Sequence, residues 1–232
     1  MKANSPLAAV LLDIDGTLLD SNDAHTRSWL ETLRRHGHAV AYERVRPLIG
    51  MGADRLLAEL LGLAADDPLA RQLADERRRL FLERWLPSLG PTPGARALLE
   101  RLRAEGLTLV VATAAGEAEL PALLGQAGIE DLVDAATSSS DARRSKPDPD
   151  IVEAALRRCG VEAAAALMLG DTPYDVEAAR AAGVDTIALR CGGWWDDAAL
   201  SGAVAIHDSP ATLLAQWAES PLGRRRAGDG GG

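Results

Sequence analysis

Apolar residues run without a break from Leu7 to Leu12, then give way to Asp13, Asp15 and Gly16. A short all-apolar run closed by acids and a glycine predicts a strand buried on both faces, as in a parallel sheet. From about Ala24 to Leu86 the spacing becomes helical, through Leu56, Leu57, Leu60 and Leu61 and then Leu73, Leu80, Leu82 and Leu86, with no convincing strand. Pro87, Gly90, Pro91, Pro93 and Gly94 close this helical insertion and mark a hinge. Beyond the hinge the pattern alternates. Helices are predicted over Ala95–Glu105, Glu117–Ala127, Asp150–Cys159, Pro173–Ala182 and Leu213–Trp217. Strands are predicted over Leu107–Thr113, Leu132–Thr137, Ala165–Gly170, Val184–Leu189 and Val204–Ile206. Alternating βα units of this kind predict an α/β fold, a doubly wound, Rossmann-like parallel sheet covered by helices on both faces. The expected organisation is a core from residues 1–20 and 91–222, a helical module from 21–90, and a disordered tail from 223–232, where the run GRRRAGDGGG offers almost nothing apolar.

Composition narrows the function. With 25 basic against 34 acidic residues the chain carries −9, which argues against a general nucleic-acid binder. No apolar run reaches the roughly 18 residues that a membrane span needs. The two cysteines, Cys159 and Cys191, make neither a disulfide framework nor a metal knuckle, which fits a cytoplasmic protein with free thiols. Lysine is scarce: Lys2 and Lys146 are the only two, in a chain rich in arginine. Lys146, in SKPDPD ahead of a predicted helix, therefore stands out.

The polar residues of interest fall at strand ends or in the loops beyond them. Asp13 and Asp15 follow the first strand, Thr113 ends the second, Lys146 lies in a loop, and Asp171 and Asp175 follow the strand ending at Gly170. Acids crowded at one sheet edge repel one another unless a cation or a proton intervenes. An all-oxygen donor set without a His or Cys pair suits a hard divalent ion, Mg²⁺ being the usual partner of phosphate substrates, and disfavours zinc.

Asp13-Ile14-Asp15-Gly16-Thr17-Leu18, Thr113, Ser145-Lys146-Pro147 and Gly170-Asp171-Thr172-Pro173-Tyr174-Asp175 together resemble, in order and spacing, the four motifs of the haloacid dehalogenase superfamily. The pattern is most similar to its phosphoglycolate phosphatase-like and β-phosphoglucomutase-like branch, and the helical insertion resembles that branch's small α-helical cap. The resemblance implies Mg²⁺-dependent hydrolysis of a small phosphate monoester, a sugar phosphate or a phosphoglycolate-like metabolite. Asp13 would be the nucleophile, forming an aspartyl-phosphate. Asp15 would be general acid and then base, with its backbone carbonyl on the metal. Gly16 would turn the chain so that backbone amides face the phosphoryl group. Thr113 and Lys146 would hold the phosphoryl oxygens and neutralise their charge. Asp13, Asp15, Asp171 and Asp175 would form the metal site. Asp171 or Thr172 could instead cap the helix beginning near Pro173; a Thr172 cap would leave Asp171 free for metal. Ala114 stands where the family often has Asn or Ser, leaving only a backbone contribution to substrate binding there.

The insertion is less legible. His25 and Trp29, four apart, resemble the H-x-x-x-W spacing of the sugar-phosphate branch, and a packed helix face fits them equally. Gly50-Met51-Gly52 resembles the cap loop that closes over the leaving group, and a plain connection between helices is the alternative. Arg55 beside it is a candidate substrate contact. Ala53 occupies the position where the mutases place a phosphate-binding arginine. Trp194 and Trp195 could line the entrance or pack in the core. A phosphomutase, returning the phosphoryl group to sugar, is the alternative within the fold; the absent cap arginine argues against it. Asp15 argues against a dehalogenase, and the full set of motif acids with Lys146 argues against a non-catalytic regulatory module. The expected partner is a small phosphorylated metabolite, with no nucleic acid or membrane, for a monomer or small homo-oligomer.

Overall fold

The computed structural model describes residues 6–227. Its six strands are β1 (Ala9–Leu12), β2 (Thr108–Ala112), β3 (Ala135–Thr137), β4 (Ala166–Gly170), β5 (Asp185–Leu189) and β6 (Ala205–His207). They form one sheet in the order β3-β2-β1-β4-β5-β6, every neighbouring pair parallel. β1 is thus central, and Leu12 pairs with Val111 on one side and Leu169 on the other. That register brings the chain beyond all three strands out at one level, where ligands bind in open α/β sheets.

Helices α1 (Asn22–Arg35), α2 (Tyr42–Val45), α3 (Ala53–Leu61) and α4 (Pro68–Leu80) make up the insertion, and α5 (Ala95–Ala104), α6 (Leu120–Ala127), α7 (Asp150–Cys159), α8 (Pro173–Ala181), α9 (Pro210–Ala215) and α10 (Pro221–Ala227) accompany the sheet. Alternation along β1 explains the two layers. Val10 and Leu12 pack with Leu98 and Leu102 of α5 and Leu123 of α6, while Leu11 packs with Val152 of α7 and Ala178 of α8. The insertion has an apolar cluster of its own from Trp29, Leu33, Val45, Ile49, Leu56, Leu57 and Leu73. It joins the core through two adjacent strands of chain, where the Asp20 amide donates to the Gly90 carbonyl at 3.0 Å. No helix is long and apolar enough to cross a membrane among the described residues.

The strand expected from Leu132 begins only at Ala135, the last helix expected over Leu213–Trp217 runs over Pro210–Ala215, and two further expectations need correcting. The helix predicted from Glu117 begins at Leu120, because Gly116–Glu119 closes as a turn in which the Glu119 carboxylate accepts from the Gly116 amide at 3.2 Å. The tail expected to be disordered from 223 instead continues in α10 as far as Ala227, and 228–232 lie outside the described residues. Leu222 drops into the main core, Ser220 receives the Gly223 amide, and the Arg225 guanidinium donates to the Ala164 carbonyl. One buried leucine and one capped turn outweigh the polar composition that follows. Trp195 takes the packed alternative, against the Val176–Leu200 cluster and edge-on to Tyr174, whereas Trp194 is exposed beside Arg46 and does not line the cavity between core and insertion.

Candidate active site

Three loops leaving the carboxyl ends of β1, β2 and β4 meet the Lys146 loop at one point. Gly16 turns the first with φ +78°, and a side chain there would collide with Asn22 and Asp171. Lys146 is buried, and its Nζ lies 2.7 Å from both Asp13 Oδ1 and Asp175 Oδ1. Burial disfavours its charge, but the two carboxylates outweigh that and raise the lysine above its ordinary value. Asp13, Asp171 and Asp175 each place a carboxylate oxygen within 4.8 Å of the others. Asp171 also accepts from Thr17 Oγ1 and Asn22 Nδ2, each at 2.9 Å.

Lys146 holds two of the three buried carboxylates, and Asp171 has only the nearby Arg46 charge working on it, so the cluster carries more negative charge than its neighbours balance. Burial and then the neighbouring Asp175 push Asp171 up to about 7, against the opposing hydrogen bonds from Thr17 and Asn22. Asp13 is also raised, first by burial and further by Asp175 and Asp171, with Lys146 working the other way. This all-oxygen, over-acidic set fits a hard divalent cation, which would relieve the same repulsion. Thr172 is the cap of α8: its hydroxyl donates to Asp175 Oδ2 at 2.7 Å, and the Asp175 amide donates back at 3.3 Å. Asp171 takes no part in the capping and remains with the cluster.

Asp15 faces the insertion. Its Oδ1 accepts from Ser21 Oγ at 2.6 Å and lies 2.7 Å from His25 Nε2. On the other side of the ring, Arg77 Nη1 lies 3.1 Å from His25 Nδ1. Arginine can only donate, so Nδ1 accepts and Nε2 carries the hydrogen given to Asp15. Burial alone would raise the Asp15 carboxyl, but His25 and Ser21 together hold it below the usual range. His25 stacks on Phe81, ring centroids 3.9 Å apart, where the chain after α4 is wound as a π-helical turn. Arg77 continues the chain of contacts to Glu119 Oε1 at 2.9 Å. The ion pair is buried and joins the insertion to the turn that follows β2.

Between core and insertion lies a cavity of about 360 Å³, walled by Asp13, Asp15, Thr113 and Ala114 on one side and His25, Trp29, Gly50 and Arg77 on the other. Thr113 is buried, and its Oγ1 accepts from the Ala115 amide at 3.1 Å. Gly50, at φ +106°, passes so close to Thr172 that a side chain would strike it. Of the residues singled out from sequence as substrate contacts, Gly16 does not line the cavity, and neither does Arg55. Its guanidinium donates to the Ser145 carbonyl at 3.1 Å and to the Asp148 carboxylate. Thr17, Ser21, Asn22, Arg77 and Glu119 were not anticipated. For Arg77 a signal existed: it sits between Leu73 and Leu80 on the buried stripe of α4, where a cation needs a partner.

A family model described as haloacid dehalogenase-like hydrolase matches residues 7–183. The chain is 35% identical over 213 residues to a phosphoglycolate phosphatase of Rhodospirillum rubrum, covering 88% of each. Its fold is similar to the crystal structure of a hydrolase from Pseudomonas syringae, with a TM-score of 0.84 and 28% identity over 91% of this chain and 98% of that one. A putative β-phosphoglucomutase from Bacteroides vulgatus gives a TM-score of 0.81 at 26% identity, over 96% and 90% respectively.

Proposed function

The chain belongs to the haloacid dehalogenase-like hydrolases and is a phosphatase, and on that premise we propose that it hydrolyses a small phosphate monoester in two steps through a phosphoryl group carried on Asp13. The observation that carries this reading is the buried cluster of Asp13, Asp171 and Asp175, two of which hold Lys146, beside a cavity large enough for a small metabolite. A sugar phosphate or a phosphoglycolate-like ester is the substrate class we infer. Residues 21–90 act as the cap that closes over it, and 1–20 with the sequence from 91 onward as the catalytic core.

In the first step an Asp13 carboxylate oxygen attacks phosphorus while the bond to the leaving oxygen breaks, and Asp15 gives that oxygen its proton. In the second, water attacks phosphorus, the bond to Asp13 breaks, and Asp15 takes the water's proton. Ser21 and His25 favour the ionised form of Asp15, so the arrangement serves this second half directly. Lys146 and the Thr113 hydroxyl face the charge that builds on the transferring phosphoryl oxygens. Asp13, Asp171, Asp175 and the Asp15 carbonyl would hold the Mg²⁺ ion. The chemistry it supplies when bound is neutralisation of these acids and of a phosphoryl oxygen. His25 and Gly50 wall the leaving-group side, while the backbone at Ala114 faces the phosphoryl group beside Thr113.

A panel of phosphorylated metabolites assayed with and without Mg²⁺ tests the reading. Release of inorganic phosphate that stops on chelation and returns with Mg²⁺ is expected. Full turnover in the presence of chelator would overturn the metal assignment, and transfer to sugar without phosphate release would make the enzyme a mutase.

A further inference from the structure

Lys146 occupies the second position of a tight turn in which the Asp148 amide donates to the Ser145 carbonyl at 3.2 Å. Residues of the insertion grip both ends of that turn. Ser145 Oγ donates to Asp54 Oδ1 at 2.6 Å. Arg55 spans the turn with its fork, Nε on the Ser145 carbonyl and Nη2 on the Asp148 carboxylate. Gly52, just ahead, lies against Ser145 so closely that any side chain would collide with Ser145 Oγ. Asp54 and Arg55 both lie in the first turn of α3, whose far face packs into the insertion's own core through Leu56 and Leu57. When the insertion lies on the core, a rigid helix start therefore holds the loop that aims the lysine.

We propose, building on the phosphatase reading above, that Asp54 and Arg55 are positioning residues for Lys146, so that cap closure and completion of the phosphoryl site are a single event. Without the clamp, the loop keeps its turn but loses the contacts that fix its height over Asp13. The lysine then spends part of its time away from Asp13 and Asp175. An ester is bound as before, but its transition state is met by a misplaced charge. Water entering an open site meets an incomplete one, so a phosphoryl group is transferred only under a closed cap.

Asp54 also lines the cavity, so a direct contact with the leaving group is the rival role, and the test separates the two. Asp54→Ala and Arg55→Ala should each lower kcat roughly 10- to 100-fold, the scale of a small misplacement of a catalytic group. The loss should be equal for a sugar phosphate and for p-nitrophenyl phosphate, with KM little changed. Asp54→Asn, which keeps an acceptor for Ser145, should retain most of the activity. A second readout needs no turnover: acylation of Lys146, followed by mass spectrometry and normalised to Lys2, should be faster in both alanine variants than in the wild type. KM rises that depend on the leaving group, unchanged kcat, or unchanged Lys146 labelling would each overturn the proposal. Wild-type chain that hydrolyses none of the esters would instead overturn the phosphatase reading, with the labelling result still deciding whether the clamp exists.

Discussion

Arg77 and Glu119 are expected to set how firmly the insertion closes, and the size of the effect follows from their surroundings. Arg77 belongs to α4 of the insertion, and Glu119 to the turn after β2. Their 2.9 Å contact is buried, with side-chain exposures of 11% and 3%. Arg77 Nη1 also serves His25, and the guanidinium lies 5.3 Å from the Trp29 ring and 5.9 Å from that of Phe81. Removing one partner from a buried pair costs about 3–5 kcal/mol, because the other charge is left without compensation. Here the chain has an escape that a single-body protein lacks: lifting the insertion lets Glu119 reach water. The cost should therefore fall on the closed state rather than on global unfolding. At about 1.36 kcal/mol per decade, the lower figure of 3 kcal/mol shifts the closed-to-open ratio roughly 150-fold. Arg77→Met should lower kcat/KM for a sugar phosphate by about two decades while moving the unfolding midpoint little. Glu119→Gln, which leaves the His25 contact intact, should lower it less, and the double variant should lose less than the two single losses combined. Activity within twofold of wild type in Arg77→Met, or losses that add fully in the double variant, would refute the reasoning.

Asp13→Asn should abolish turnover with the fold retained, since an amide cannot attack phosphorus and the change is nearly isosteric; phosphate release after deamidation has been excluded by mass spectrometry would contradict the role. Asp15→Asn should slow formation of the phosphoryl-enzyme by roughly 10²- to 10⁴-fold for an alkyl phosphate and far less for p-nitrophenyl phosphate, whose leaving group departs without a proton; equal losses in pre-steady-state measurements would remove Asp15 as the acid. Mg²⁺ should raise the unfolding midpoint more at pH 8 than at pH 5.5. Asp171 is raised to about 7 in the folded chain, above its unfolded value, so it keeps its proton in the fold when the unfolded chain has lost it. Stability of the metal-free protein then falls as pH rises from about 4 to 7, and the ion offsets a repulsion present only above that window. Equal shifts at the two pH values would show that Asp171 is not part of the metal site.

The sheet and its strand-end acids were legible because each rests on local pattern. Leu7–Leu12 is apolar throughout and β4 is likewise, so burial on both faces could be read directly, and the polar residues that interrupt those runs marked the site edge. The residues that orient Asp15 and Asp171 were not legible. Ser21 and Asn22 are ordinary at the start of a helix, and His25, singled out for its spacing to Trp29, gave no sign of its contact with Asp15; all three roles come from partners in other segments. Arg77 is the instructive case. Its place in the stripe with Leu73 and Leu80 gave away burial, but nothing local named Glu119 as the partner. Arg55 looked like a substrate contact because it borders the Gly50 loop. A glycine-rich loop pressed against the core places its neighbours on core loops as readily as on a ligand. The terminal helix was missed because one leucine and one capping serine count for little in a composition yet fill a specific gap.

The central position of β1 has a consequence for how the enzyme comes into being during synthesis. Leu12 leads straight into Asp13, yet its hydrogen-bonding neighbours are Val111 and Leu169, each separated from it by a long stretch of chain. The insertion can collapse early on contacts within 22–90, whereas the strand that bears the nucleophile must wait for β4 to leave the ribosome. Non-local pairings of this kind close slowly, and an unpaired apolar strand is exposed to aggregation until they do. The nucleophile therefore has no lysine and no acid partners through most of translation. A nascent chain halted before β4 is expected to be phosphatase-dead and dependent on chaperones, and the activity to arrive all at once, with the last third of the polypeptide.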